Sequence, residues 1–154
     1  MFKMKTDMAD IKKYNERIAA IIEGCVIDEL VAWAKEDDEY LRGNEGFKDH
    51  TGNLRSSLGA AVFRDGRMLY STPFSTVLTG AMGSAEGRRA AEALASRTIG
   101  RIAKVMVAGM DYAQRVEDID SKDVLESRRI QCEREAKGVY ERAMRRAEQE
   151  IGRL

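Results

Sequence analysis

Apolar residues recur every three or four positions over two long stretches of the chain, and shorter stretches between them alternate. The first long stretch runs from about Asp7 to Leu41. Ile11, Tyr14, Ile18, Ile22 and Cys25 trace one helical stripe that breaks at Glu29, and Ile21, Val26, Leu30, Trp33 and Ala34 widen it and carry it on. That spacing predicts an amphipathic helix, capped at its start by Thr6 or Asp7 and ended by Gly43, Asn44 and Gly46. Lys12, Lys13, Glu16 and Arg17 form its charged outer face. A stripe this wide is expected to be covered by other elements. Residues 42–53 then read as a polar loop, mobile until a partner holds it.

The next stretch, His50-Thr51-Gly52-Asn53-Leu54-Arg55-Ser56-Ser57-Leu58, reads as a turn and a brief helical step into a strand. Leu58 to Phe63 is a strand. Asp65-Gly66 turns it back as a hairpin. A two-residue turn pairs Phe63 with Met68, Val62 with Leu69 and Ala61 with Tyr70. Phe63, Met68, Ala61 and Tyr70 then share one face, and Val62, Leu69 and Ala60 the other. Pro73 stops the second strand. Residues 74–83 fit either a loop or a short strand at Thr76–Thr79. Ser84 is expected to cap a helix to about Thr98, closed by Gly100. Ile102 to Ala108 alternates as a third strand. Asp111 is expected to cap a short helix, Tyr112 to Glu117, and residues 118–121 to form a loop. Asp120 or Ser121 would cap the last helix, from about Val124 to Arg153. There Leu125, Cys132, Ala136, Val139, Ala143, Ala147, Ile151 and Leu154 keep heptad-like spacing, with Arg129 out of pattern. Glu133–Lys137 and Glu141–Arg145 are expected ion pairs.

This pattern predicts an α+β fold: a small, mainly antiparallel sheet packed against long N- and C-terminal helices. The 154 residues fit one domain, 1–154. Composition narrows the partners. Lys plus Arg equals Asp plus Glu, 26 each, so the net charge is zero. A generic polyanion binder carries a basic excess, so nucleic acid is not favoured. Near-zero net charge gives little protection against self-association. The N-terminus lacks the apolar run of a signal peptide, and no window approaches a membrane span, so a cytoplasmic protein with no membrane partner is expected.

Candidate chemistry is sparse. His50 is the sole histidine, so neither a triad nor a zinc site is readily built. Ser56 and Ser57 lack the Gly-x-Ser-x-Gly elbow and read as caps or turn residues. Gly80, Gly83 and Gly87 lie just before a helix but lack the phosphate loop's Lys-Ser/Thr ending, and read as a flexible loop. Glu117, Asp118, Asp120 and Asp123 cluster without the EF-hand pattern, and helix capping explains them. Cys25 and Cys132 have no metal spacing and read as small buried hydrophobes in a reducing compartment. No catalytic residue, cofactor or metal site is expected, and an enzyme is the weakest reading. Arg88, Arg89, Arg97, Arg101 and Lys104 form a basic span. It reads first as a solvated helix face, and in the alternative reading as the DNA-binding surface of a mobile-element regulator.

The run Thr51-Gly52-Asn53-Leu54-Arg55-Ser56 resembles the signature of the phage tail-completion family, the head–tail joining or minor tail component proteins of HK-type siphophages. Two further stretches match in order. Tyr112-Ala113-Gln114-Arg115-Val116-Glu117 is similar to the family's Tyr-Ala-x-x-Val-Glu step after a strand. Lys122-Asp123-Val124-Leu125 is similar to the step that opens the last helix in some prophage members. The Pro-Phe-Leu-x-Pro-Ala segment of many members is absent, and the middle of the chain is longer than in compact ones. The resemblance implies a virion structural protein of the neck or tail end, without catalysis. It would form a homo-oligomeric ring and contact other phage structural proteins: tail tube, connector or portal. It implies assembly in the host cytoplasm and then a place in the virion.

Overall fold

The computed structural model describes residues 7–44, 46–120 and 122–154. Helix α1, Met8–Gly43, starts where Asp7 Oδ1 accepts the Ala9 N–H at 3.0 Å. Thr6, the other expected cap, lies outside the described residues. A one-turn helix, α2 (Asn53–Ser56), leads into β1 (Leu58–Arg64). Strand β2 is Arg67–Ser71 and β3 is Ile102–Ala108. Between them lies helix α3, Ala81–Ala93, followed by a 3-10 turn at Ala95–Thr98. Helix α4, Ala113–Asp120, and helix α5, Glu126–Ile151, complete the chain.

The fold is α+β, with one antiparallel sheet in the order β2-β1-β3. Its two faces are covered differently. Ala34, with Leu30 and Val31, brings α1 onto Ala60 and Val62. On the other face Ala61, Phe63 and Val107 meet Phe74 and Ala91, so α3 closes that side. Helix α5 lies antiparallel along α1. Asp37 lies by Arg128, Trp33 by Glu135, Glu29 by Arg142 and Asp28 by Arg146.

The Asp65-Gly66 turn forms as expected, with φ of 48° and 76°. Arg64 faces Arg67 and Phe63 faces Met68, but a bulge then intervenes, so Val62 pairs with Tyr70 and Ala61 with Ser71. The bulge leaves Leu69 unpaired and 42% exposed. It also moves Tyr70 to the Val62 face, where it packs by α1 under the Lys35 ammonium, 5.7 Å from the ring centre. The expected faces are therefore corrected at Leu69 and Tyr70.

Other boundaries also move. Residues 74–80 hold no strand, and α3 begins at Ala81 rather than after Ser84. Ser84 sits inside its first turn, its hydroxyl 2.9 Å from that of Thr76. The expected loop at residues 118–120 continues α4, which starts at Ala113. Ser121 and the Asp120 side chain lie outside the described residues, and α5 is capped from elsewhere. Glu117 Oε1 accepts the Leu125 and Glu126 N–H groups at 3.0 and 2.6 Å, and Asp123 Oδ1 accepts that of Ser127 at 2.9 Å. On α5 the ion pairs run Arg129–Glu133 and Lys137–Glu141. Ala136 is exposed, whereas Arg128 is buried.

Candidate functional site

The first resemblance stretch, remote in sequence from the other two, meets them around one apolar cluster. Leu54, Ala113 and Val124 are buried together with Leu41, Phe47, Leu58 and Met110, and Val116 and Leu125 pack against them. Polar members hold backbone. Gly52 adopts φ 77° with the Val77 carbonyl directly above it, where a side chain would collide. Asn53 Oδ1 accepts the Gly83 N–H at 3.2 Å, and Ser56 Oγ accepts that of Val77 at 2.8 Å. The Thr51 carbonyl accepts from the Thr79 hydroxyl at 3.1 Å. Arg55 donates to the Arg42 carbonyl at 3.3 Å and lies over the Phe47 ring. Glu117 and Asp123 are the caps of α5. Tyr112, 37% exposed, stands on the rim.

The expected mobile loop is tied down. Asn44 Nδ2 donates to the Asp123 carbonyl at 2.7 Å, Phe47 is buried, and Asp49 accepts the Gly52 and Arg55 N–H groups at 2.9 and 2.7 Å. Asp49 thus caps α2, using the first-turn donors that a short helix leaves open. Ser57 Oγ donates to the Leu54 carbonyl at 2.7 Å. Both serines are bound to backbone, as turn residues are. Gly83 and Gly87 do not lie in a flexible loop. They sit in α3, where a Cβ would run into the Asn53 backbone or into Phe74 and the Ser57 carbonyl. Their absent side chains let α3 close on α2.

A second constellation was not foreseen from the sequence. Asp37 on α1 is fully buried, and its two oxygens take two cations. Oδ2 accepts from Lys104 of β3, and Oδ1 accepts from Arg128 Nε of α5 at 2.7 Å. The Lys104 and Arg128 side chains are 6% and 4% exposed. Lys104 also stands 3.7 Å above the centre of the Trp33 ring, and the indole N–H donates to Glu135 Oε2 at 3.0 Å. Glu135 lies 3.3 Å from Arg128. The group therefore carries two cations and two carboxylates. Burial alone would raise the Glu135 carboxyl, but hydrogen bonds from Trp33 and Gln131 and the charge of Arg128 outweigh it and hold it below the ordinary glutamate value. Burial weakens the Arg128 charge, but Asp37 more than offsets this and raises the pKa.

Cys132 touches this cluster, its Sγ 3.4 Å from Asp37 Oδ1 and 3.5 Å from Lys104 Nζ. It is buried but not in purely apolar surroundings, a correction to its reading as a simple hydrophobe. Burial pushes its thiol up; Lys104 lowers it and Asp37 raises it again. Burial likewise raises Cys25. The basic span also changes. Lys104 points inward, Arg88 donates to the Pro73 carbonyl at 3.2 Å, and Arg89 pairs with Glu86 at 3.7 Å. The exposed span loses its Lys104 end.

Among the described residues, no three His, Cys, Asp or Glu side chains group closely enough to hold a metal ion. No described helix is long and apolar enough to cross a membrane. One apolar surface does stand open. Residues 8–20 of α1 project beyond the end of α5 and are exposed, apart from half-buried Ile18. Met8 is 77%, Ile11 39% and Tyr14 51% exposed, so among the described residues the expected covering is missing there. Comparison with known proteins finds no matching family model, no similar curated protein and no similar solved structure.

Proposed function

We propose that this chain is a structural subunit of a phage particle, placed at the neck or tail end, which joins or completes the tail through protein–protein contacts. The observation that supports this reading is the convergence of the resemblance stretches. Thr51–Ser56, Tyr112–Glu117 and Asp123–Leu125 lie around one apolar cluster, and their polar groups hold backbone. Residues that build a scaffold in this way suit a part whose work is to present surfaces. In this reading identical copies form a ring in the particle and contact tail tube, connector or portal proteins. The subunit is made in the host cytoplasm and ends in the virion.

The test is deletion of the gene from the phage or prophage that encodes it, followed by electron microscopy and plaque counts. Unjoined heads and tails, rescued by the gene supplied in trans, are the expected result. Normal infectious particles without it would overturn the reading. The competing view, a DNA-binding regulator, requires affinity for DNA that falls steeply with salt. The inward turn of Lys104 removes one cation from the surface it would use.

A further inference from the structure

The open third of α1 has a chemistry of its own. In heptad terms Met8, Ile11, Asn15, Ile18, Ile22 and Cys25 occupy the two seam positions, with Tyr14, Ala19 and Ile21 beside them. Asp10, Lys13, Glu16, Arg17 and Glu23 all fall on the outer positions, and Lys12 alone flanks the seam. A helix patterned like this is built to lie against another helix. From Cys25 onward the chain supplies one, because α5 runs antiparallel there and reaches its end at Ile151. Residues 8–20 extend past it by about 20 Å of helix.

We infer that a second copy of this chain covers that face, through the same segment of its own α1 laid antiparallel across a two-fold axis near Tyr14 and Asn15. Three observations favour a copy over another partner. A helix antiparallel to α1 at this place continues the line of α5, so the partner's overhang takes up the seam where α5 stops. The overlap is reciprocal, since each overhang is as long as the face it must cover. The segment from Asp7 to Ala20 carries three acids and three bases, so two copies meet without net repulsion. Ile11 of one copy then lies level with Ile18 of the other, and every charged side chain of the segment's helix except Lys12 stays on the outer positions. The contact closes at two copies and leaves the motif end of the molecule free. It stands independently of the phage reading, because it concerns the free subunit in solution.

Light scattering on the eluting full-length protein at micromolar concentration tests it. The expected result is a dimer that becomes a monomer in the Ile11→Glu/Ile18→Glu variant. Lys13→Glu, on the outer face, is expected to remain dimeric. Ile11 and Lys13 are exposed and Ile18 is half-buried outside the core clusters, so circular dichroism melts of the variants should keep the native cooperative transition. Orientation is read from added thiols, the two native ones being buried. Asn15→Cys should cross-link spontaneously across the axis. Met8→Cys should not, because antiparallel overlap separates the two Met8 positions by about 20 Å. A monomeric wild-type chain, an assembly unaffected by Ile11→Glu/Ile18→Glu, or efficient Met8→Cys cross-linking would each overturn the inference. So would a monomer whose overhang is covered by a different protein. Normal virions lacking the gene would defeat the assembly reading and leave the dimer standing.

Discussion

Replacing Asp37 with alanine should be among the most damaging single changes in this protein. The carboxylate is fully buried and each oxygen serves a cation, Lys104 and Arg128, themselves 6% and 4% exposed. Without it two cations remain against Glu135 alone, and Glu135 lies toward the surface. Breaking a buried pair by removing one partner costs about 3–5 kcal/mol, mostly through the charge left behind. Against a total stability of roughly 5–15 kcal/mol, that is a large share. Trp33 reports on the site directly, since its ring lies under Lys104 and its N–H is held by Glu135. Urea unfolding followed by Trp33 fluorescence is therefore the assay, at one fixed protein concentration because association would shift the midpoint. With a slope of about 2 kcal/mol/M, the midpoint should fall by roughly 1.5–2.5 M. The triple variant Asp37→Leu/Lys104→Met/Arg128→Leu removes all three charges and should recover most of that loss. A loss below about 1 kcal/mol for Asp37→Ala would refute the reasoning, given the cost expected for an unpaired buried charge. So would a triple variant no more stable than the single one.

The remaining predictions concern glycines, thiols and acid. Gly83→Ala should destabilise by about 1–3 kcal/mol through collision with the Asn53 backbone, despite alanine's better helix propensity. Gly138→Ala, with only the end of Arg142 nearby at 3.7 Å, should stabilise by up to about 1 kcal/mol; thermal melts of the two should move in opposite directions. Cys25 and Cys132 should both react slowly with a thiol reagent at pH 8 and quickly in denaturant, since burial raises both thiols; fast native labelling of Cys132 would contradict its placement. Glu135 is held below its ordinary value, so its contribution is complete above about pH 4.3 and is lost as pH falls through the folded-state pKa. Glu135→Gln should flatten the acid side of the stability profile, modestly because the side chain is 35% exposed.

Local rules were legible where local physics decides. The Asp65-Gly66 turn needs two residues at positive φ and has them, and β3 occupies the alternating stretch Ile102–Ala108. The bulge was not legible. Leu69 and Tyr70 are both apolar enough for either face, so only the packing of Tyr70 against α1 and Lys35 selects the register. The start of α3 was misplaced for a related reason. Gly80 and Gly83 look like loop residues in sequence, yet they are there because α2 approaches too closely for any side chain. At the motif end, the capping role of Glu117 and Asp123 was readable as acids near a helix start. That Asp49 would close the preceding loop by capping α2 was not, because the loop's polarity hid the buried Phe47.

The buried charges were written in the sequence as irregularities. Asp37 continues the α1 stripe through Leu30, Trp33 and Leu41, Lys104 shares a strand face with Ile102 and Met106, and Arg128 sits where a stripe residue belongs on α5. Each alone reads as an exposed exception; only the fold shows that they neutralise one another. Their placement also explains the open end of α1. Much of the apolar seam of α5 is small, Cys132, Ala143 and Ala147, and side chains this small do not by themselves fix its height along α1. Sliding α5 by a heptad would carry Arg128 away from Asp37 and take Arg142 and Arg146 from Glu29 and Asp28. The first of those separations strands a buried charge at several kcal/mol. The ionic cluster therefore sets the register of α5, and a register so set ends α5 beside Cys25. Residues 8–20 lie beyond α5 because the buried pairing of Asp37 with Arg128 holds α5 where it is.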